Sequence, residues 1–245
     1  MTNGFKAALI LAAAAFFTAG DTAYCAGKKP VGMAVFVSGD VKLRRPGAAE
    51  FPQVKVNDNL YLGDSVETAA GAKVSVVLLY GSEIRLNENT ILELIAGKKS
   101  SDAARLARGQ VWTRMLHQRG GLQVRTVTAV CAVRGTEADI EQQEALTVKV
   151  YEGHVDVENG AGKVSLKAGE MTRVAGPAAV PARAFRMPPA YAGKWQEGVT
   201  SATDIKAFLE RLRAAHGEDK KLEFSVGESG KAEKAVKIKL KKKGE

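Results

Sequence analysis

The residues of this sequence that are able to do chemistry are scattered. Three histidines, His117, His154 and His216, lie far apart, and no His-x-His pair with a nearby glutamate is present, so metal catalysis is not expected. No Gly-x-Ser-x-Gly step, no Ser-x-x-Lys step and no cysteine with a histidine partner occurs, so nucleophilic catalysis lacks its usual parts. We therefore predict no catalytic residue, no metal site and no cofactor.

The chain has many carboxylates, so hydrolysis of polysaccharides by a pair of them remains an alternative function. Asp40, Asp64, Glu83 and Glu93 are candidates for an acid and base pair, which glycoside hydrolysis needs within about 5–10 Å. The sequence does not bring any two of them together, and acids that flank turns are normally structural. Paired inward carboxylates in an open cleft would favour a polysaccharide-processing enzyme on a jelly-roll-like scaffold.

The chain has two cysteines, and only Cys131 lies beyond an amino-terminal segment that we expect to be removed. One thiol cannot close an internal disulfide. Because Cys131 lies in an apolar run with no neighbouring histidine or cationic cluster, we expect a buried small hydrophobe rather than a reactive thiol.

Alternation of apolar and polar residues dominates residues 35–174 and predicts half-buried strands. In residues 73–79 and 83–86 the apolar positions fall on one face. The Tyr80-Gly81-Ser82 step between them is typical of a tight hairpin, because glycine adopts the positive φ of primed turns. Many short strands with turn residues between them predict an all-β fold, an antiparallel β-sandwich that is jelly-roll-like or rolled.

Residues 124–133 are interpreted as one long apolar strand that the Arg134-Gly135-Thr136 step stops. Gly135 is expected to break the strand, while Arg134 caps carbonyls or pairs with a carboxylate such as Asp64. Recognition of an acidic ligand by an exposed Arg134 is the alternative.

One segment and one set of glycines depart from regular alternation. Residues 101–108 are alanine-rich and predict one or two helical turns. Gly39, Gly109 and Gly153 each precede a polar residue and a valine, and such glycines suggest corners where strands bend.

Composition divides the chain into five predicted parts: an export signal at 1–26, a β-domain at 31–176, a Pro- and Ala-rich linker at 177–200, an amphipathic helix at 201–216 and a Lys-rich tail at 217–245. The segment at 177–200 is either a linker or a stretch wrapped along the surface. The helix begins with a capping box at 201–204, and its apolar stripe is expected to pack on the β-domain rather than on a partner. Val236, Ile238 and Leu240 leave open an edge strand in the tail.

The export signal is predicted from Lys6 followed by the apolar residues 7–19, a run shorter than the about 20 residues that span a bilayer. Cleavage after Ala26 or near Gly20 is expected. A lipid on Cys25 and a buried first helix are the alternatives. The predicted location is periplasmic or secreted, with no membrane-spanning segment after removal of the signal.

The formal charge of the chain is +9, from 36 basic and 27 acidic residues. Because an exported protein has little access to nucleic acid, we expect no nucleic-acid partner. Anionic envelope components are the expected electrostatic partners, in particular for the Lys-rich tail.

Several short motifs follow one another along the chain, at positions Gly39, Gly63, Asp64, Gly81, Arg134, Gly135, Thr136, Gly153 and Gly169. The order of these motifs resembles the FecR domain family. The resemblance extends over residues 35–174 and implies a structural role for these positions, with no binding or catalytic residue to carry over. Val127 and Ala138 depart from the pattern, where relatives tend to have a proline and an aromatic residue.

Members of this family often act in envelope signalling, with a periplasmic domain that follows a membrane helix and a cytoplasmic segment controlling a sigma factor. Here a removable signal is expected in place of that cytoplasmic segment. Our leading hypothesis is therefore a non-enzymatic exported module that binds an envelope protein or a cell-wall glycan. A sensor whose membrane part is another protein is a further hypothesis.

Overall fold

The structure, a computed structural model, describes residues 28–98, 101–116, 121–193, 195–198, 205–217, 222–226 and 234–238. The predicted export signal and the predicted capping box at 201–204 lie outside the described residues, as does His117.

Most described residues belong to strands, so the prediction of an all-β fold is confirmed. The first seven strands are β1 (Gly32–Ser38), β2 (Val41–Arg44), β3 (Asn59–Leu60), β4 (Ser65–Thr68), β5 (Lys73–Leu78), β6 (Ser82–Leu86) and β7 (Ile91–Leu94). The next seven are β8 (Asp102–Met115), β9 (Leu122–Arg125), β10 (Val130–Gln142), β11 (Leu146–Asn159), β12 (Gly162–Lys167), β13 (Glu170–Val174) and β14 (Phe185–Arg186). These strands form one connected 14-stranded sheet.

Three long strands, β8, β10 and β11, change partners part-way along their length. Residues of β8 before Gly109 pair with β7 and β9, whereas those after it pair with β6 and β10. The register of β10 shifts between Arg134 and Glu137, and the opposing residue is Gly153 of β11. Gly109, Gly135 and Gly153 have φ of +98°, +61° and +70°, which residues with a Cβ rarely adopt. The predicted corners at Gly109 and Gly153 are confirmed.

The partner changes divide the sheet into two halves. The first half contains β1, β3, β5, β6, β13 and β14 with residues 109–115, 137–142 and 146–150 of the long strands. The second half contains β2, β4, β7, β9 and β12 with residues 102–108, 130–134 and 154–159. Residues from both halves, such as Ile84 and Leu92, belong to one core cluster.

Cys131 lies in this core with no exposed surface, and burial raises the pKa of its thiol to about 12. The expectation of an unreactive cysteine is confirmed, because only the thiolate is a strong nucleophile.

The helical turns predicted for 101–108 are wrong, since these residues are part of β8. Ala104 and Leu106 point into the core while Arg105 is exposed, so the segment alternates as a strand does. β7 and β9 flank it on both sides, and this pairing outweighs the helix propensity of alanine.

The single strand predicted for 124–133 is also wrong. A turn separates β9 from β10, in which Thr126 Oγ1 accepts hydrogen bonds from the backbone N–H of Thr128 and Ala129, each at 3.0 Å. Beyond it, β10 continues through Arg134 and Gly135 to Gln142, so Gly135 bends the strand and does not break it. The hairpin predicted at Tyr80-Gly81-Ser82 is confirmed by the pairing of β5 with β6.

The segment after β13 wraps along the domain surface. β14 pairs with β13, and 3-10 turns follow at Pro189–Tyr191 and Trp195–Gly198. Helix α1 (Ile205–His216) then packs on β1 and β5, and Gly217 ends it with φ of +75°. The apolar stripe of α1 therefore packs on this chain's own strands.

In the tail, β15 (Leu222–Val226) and β16 (Lys234–Ile238) pair with each other in a separate two-stranded sheet, and Leu240 lies outside the described residues. Among the described residues, no helix has the length and apolarity needed to cross a membrane.

Candidate functional site

The Gly63-Asp64 step of the family pattern has a structural role in the turn before β4. Gly63 has φ of +88°, and a Cβ there would lie 2.9 Å from Pro46 Cγ. The fully buried Asp64 accepts a hydrogen bond from Tyr61 N–H at 2.9 Å. Burial raises the pKa of Asp64, although this hydrogen bond and the nearby Arg45 oppose the rise.

The remaining motif residues lie at turns and at the bend between the halves. Gly39, Gly81 and Gly169 have positive φ in the β1–β2, β5–β6 and β12–β13 turns. Thr136 lies at the register shift of β10, and the side chain of Arg134 is exposed opposite His154.

The suggested pairing of Arg134 with Asp64 is wrong, because Asp64 lies beside Arg45 at the start of β4. The positive charge of Arg134 acts instead on Asp156. The hydroxyl of Ser165 is the main cause of the lowered pKa of that carboxyl, with Lys163 and Arg134 contributing.

A buried polar row crosses the outer face of the first half. Its members are direct cross-strand neighbours with at most 7% exposure, and we call them the polar row: Ser75, Arg85, Trp112, Asp139, Lys149 and Met171. Charged groups at such burial require partners, because desolvation of an unpaired charge costs several kcal/mol.

Asp139 is the acidic centre of the polar row. Its carboxylate accepts hydrogen bonds from Gln110 Nε2 at 2.9 and 3.0 Å and from Trp195 Nε1 at 2.6 Å. Lys149 Nζ lies 3.5 Å from Asp139 Oδ1. The pKa of Tyr151 is raised by burial and by the charges of Asp139 and Glu137.

Glu83 forms a second buried network beside the polar row. Its carboxylate accepts hydrogen bonds from Arg85 Nε at 2.8 Å, Arg114 Nη2 at 2.7 Å and Ser75 Oγ at 2.9 Å. The guanidinium of Arg85 also stacks over the Trp112 ring at 4.4 Å from its centroid. These contacts satisfy a carboxylate that has no exposed surface.

Two segments of the same chain cover this face. Residues 189–198, which we call the strap, reach the polar row through Trp195 and Gln196, whose carbonyl accepts a hydrogen bond from Arg85 Nη1 at 3.0 Å. On the neighbouring strands, Leu209 and Leu212 of α1 pack against apolar residues of β1 and β5. The outer face of the first half is therefore occupied.

Glu83 and Asp139 lie beneath the strap and among cations, so they do not form the open carboxylate cleft that the enzyme hypothesis requires. Asp40 and Glu93 lie at the surface in ion pairs with Lys42 and Arg105.

The outer face of the second half is open, and we call it the open face. Its cationic side chains are Lys42, Arg44, Arg105, Arg108, Arg125, Arg134, Lys163 and Lys167. Its acidic side chains are Glu67, Glu93, Asp156 and Glu158. The described strand residues of this face thus carry eight exposed cations against four carboxylates. Lys42 also pairs with Asp40 in the preceding turn, and Arg44, Arg105, Arg108 and Lys163 form ion pairs within the face.

Cations stand beside one another on the open face. Arg105 and Arg125 are direct partners on the parallel strands β8 and β9, and Arg134 and Lys167 lie on either side of His154 across β10, β11 and β12. Like charges directly opposite on neighbouring strands destabilise a sheet. An anion that lies across these strands would relieve this repulsion between the cations.

A half-open pocket of about 250 Å³ lies where α1 ends, between the β5–β6 turn and the start of β8. Asp102 and His216 line it together with apolar residues. Asp102 accepts hydrogen bonds from the backbone N–H of Tyr80 at 3.0 Å and of Ser82 at 3.1 Å, and His216 Nδ1 lies 2.7 Å from the Pro30 carbonyl oxygen. Asp102 therefore links the start of β8 to the β5–β6 turn, and His216 links the end of α1 to the residues before β1.

Burial raises the pKa of Asp102 from 3.8 to about 6, which predicts a pH dependence of stability. The folded-state pKa of Asp102 is above the unfolded-state value, so protonated Asp102 stabilises the folded state. This stabilisation is fully present below about pH 4 and is lost as the pH rises through about 6. The free energy of unfolding should fall by about 3 kcal/mol over this range. Urea unfolding from pH 3.5 to 7.5 should show this fall in wild type and not in Asp102→Asn. Equal slopes in the two proteins would contradict it.

Sequence reasoning singled out Glu83, Asp64 and Arg134 but not Asp139, Lys149 or the arginines of β8 and β9. The signal in the sequence is the alternation Glu83-x-Arg85 and Glu137-x-Asp139, which places charges on one side of strands whose other side is apolar.

Residues 64–156 match the family described as FecR protein. The chain therefore contains a FecR domain. The FecR match begins at Asp64, at the buried turn, and ends at Asp156 on the open face. It includes the bend at Gly135 and Gly153 and is narrower than the resemblance over residues 35–174.

Two crystal structures of a protein from Parabacteroides distasonis, assigned as an anti-sigma factor, are similar to the chain that carries this FecR domain. At 1.65 Å resolution the TM-score is 0.44 and at 2.50 Å it is 0.45, each at 14% identity. Each alignment covers 72% of this chain and 99% of the other. No curated protein sequence matches this chain.

Proposed function

We propose that this protein is an exported, non-enzymatic interaction module of the cell envelope, and that its open face binds an acidic cell-wall glycan. The observation that carries the proposal is the contrast between the two outer faces. One is occupied by the strap and α1, whereas the other presents eight cations against four carboxylates to solvent.

The FecR domain supports a role in envelope signalling. In that role, glycan binding would hold the domain at the cell wall or signal the state of the wall. The apolar run behind Lys6 supports export to the periplasm or beyond it. One core shared by two halves of a bent sheet supports the rolled sandwich as the finer description of the fold. The Lys-rich tail adds a second anionic contact in this proposal.

Binding to the open face is tested with polygalacturonate, a soluble acidic polysaccharide. We expect Arg125→Ser/Arg134→Ser to weaken binding about tenfold or more at low salt, because each cation near an anionic surface contributes about 1 kcal/mol. Affinity of the wild type should fall steeply with added salt, since the Debye length shrinks to about 8 Å at physiological ionic strength. Isothermal titration calorimetry at several salt concentrations measures both effects.

The matched control is Arg186→Ser/Lys206→Ser, which removes the same charge from exposed positions on β14 and α1. It should bind nearly as wild type. Equal losses in the two double variants would show that net charge and not the open face governs binding, and no wild-type binding would refute the proposal.

A further inference from the structure

The half-open pocket of about 250 Å³ at the end of α1 has a mainly apolar lining. Leu78, Leu79 and Leu94 belong to its buried part, whereas the side chain of Leu62 is 47% exposed and extends the apolar lining to solvent. The volume is just below the range of about 300–1,000 Å³ that holds drug-sized ligands. The pocket therefore has room for one slender apolar group, such as a single hydrocarbon chain.

Backbone hydrogen bonds between neighbouring segments hold the walls of this pocket in place. Val31 N–H donates to the Leu60 carbonyl at 2.8 Å, and Leu79 N–H donates to the Val31 carbonyl at 3.0 Å. Ile95 N–H donates to the Ala103 carbonyl at 3.2 Å. A ligand would therefore enter a formed cavity and would not have to order a loop.

Asp102 and His216, which line the pocket, already have hydrogen-bond partners. Each carboxylate oxygen of Asp102 accepts one backbone N–H, from Tyr80 and from Ser82, and His216 Nδ1 contacts a backbone carbonyl oxygen. A polar group of a ligand would gain little in the interior. The interior therefore favours burial of an apolar group, which the hydrophobic effect drives.

Cations lie around this pocket. Lys98 belongs to its lining and is exposed. Lys29 Nζ lies beside Gly217 at the end of α1, and the charge of Arg213 on α1 reaches Asp102, where it opposes the rise in the pKa of that carboxyl. These three positive charges would attract an anionic group at the mouth of the pocket and would repel a cationic one.

We infer that this pocket binds the hydrocarbon chain of a free fatty carboxylate, with the carboxylate at the mouth beside Lys98. The apolar lining suits the chain, and the neighbouring cations suit the acidic head. The volume favours a single chain over the two chains of a membrane phospholipid. The inference goes beyond the proposed function and does not depend on the open face.

The inference is tested with decanoate at concentrations below micelle formation. Wild type should bind one equivalent, and octanoate should bind about fifteenfold more weakly, because each buried methylene contributes about fourfold in affinity. Decylammonium, which has the same chain and the opposite charge, should bind more weakly than decanoate. Isothermal titration calorimetry gives affinity and stoichiometry, and nuclear Overhauser effects from the chain to the methyl groups of Leu79 and Leu94 locate it.

Two variants at exposed positions separate the chain from the head. Leu62→Ser should lower the affinity for decanoate about fivefold and Lys98→Ser about threefold, and neither should change the melting temperature. Lys98→Ser should not weaken binding of decylammonium. The matched controls are Val127→Ser, 65% exposed in the β9–β10 turn, and Lys206→Ser near the start of α1, and both should bind decanoate as wild type does.

Several results would overturn the inference: no decanoate binding by wild type, equal binding of decylammonium, or unchanged decanoate binding in Leu62→Ser. Binding to vesicles of anionic phospholipid without binding of dissolved decanoate would also overturn it, and would assign these cations to a membrane surface. Leu62→Ser should bind polygalacturonate as wild type does. Failure of the pocket and failure of the open face are therefore distinguishable.

Discussion

Gly109→Ala is expected to destabilise the domain by about 4 kcal/mol, a large part of the about 5–15 kcal/mol by which an ordinary domain is stable. A Cβ at this position would lie 2.3 Å from Thr90 Oγ1 and 2.5 Å from Thr90 Cα, so the backbone of a neighbouring strand connection would have to move. The φ of +98° adds strain that alanine does not tolerate. Chemical denaturation followed by circular dichroism measures the loss.

Gly135→Ala is the matched control, because it tests backbone strain without a steric clash. Gly135 also has a positive φ within a long strand, but a Cβ there would meet nothing within 4 Å. We expect a loss of about 1 kcal/mol from the left-handed backbone alone. Equal losses in the two variants would show that close approach to Thr90 is not what fixes Gly109.

Asp139→Ala is expected to destabilise the domain by about 3–5 kcal/mol. The substitution leaves the ammonium of Lys149, which is 7% exposed, without its carboxylate, and it removes the acceptor of Gln110 and Trp195. The strap should loosen as well, because the Trp195 indole loses its hydrogen bond. Tryptophan fluorescence and proteolysis near residue 194 report on the strap, and urea unfolding reports on the domain.

Glu93→Ala provides the comparison at an exposed ion pair. Glu93 lies 2.6 Å from Arg105, but the two side chains are 33% and 53% exposed, so we expect a change of at most about 1 kcal/mol. If Asp139→Ala costs no more than Glu93→Ala, the polar row is not held by its charges. We expect the double variant Asp139→Leu/Lys149→Met to recover most of the unfolding free energy that Asp139→Ala loses, because no buried charge is then left unpaired. If the charges do not matter, the double variant should recover little of it.

Periodicity was sufficient to predict the all-β fold and the β5–β6 hairpin, because alternation and a glycine turn are local features. It failed at residues 101–108, where pairing on both sides of β8 outweighs helix propensity. It failed again at Thr126, where a hydroxyl holds a turn inside an apolar run. The first effect is not visible without knowledge of the neighbouring strands, whereas the second is local and is hidden by the apolar residues on both sides of it.

The sites were harder to predict than the fold. Arg134 was recognised by its motif, but its neighbours on the open face come from strands far away in the sequence, such as Lys167 beside His154. The polar row likewise joins Arg85, Asp139 and Lys149 through registers that no short-range pattern encodes. For Asp64, burial beside Arg45 depends on the fold of the whole β2–β4 region.

The sharing of β8, β10 and β11 between both halves has a consequence for folding kinetics. Neither half is complete until residues 102–115 and 130–159 are in place, so the native sheet closes only after most of the domain has been synthesised. Topologies with such long-range pairing fold on slow timescales of about milliseconds to seconds. For the export that we propose, late folding keeps the chain unfolded until it has passed through a translocation channel.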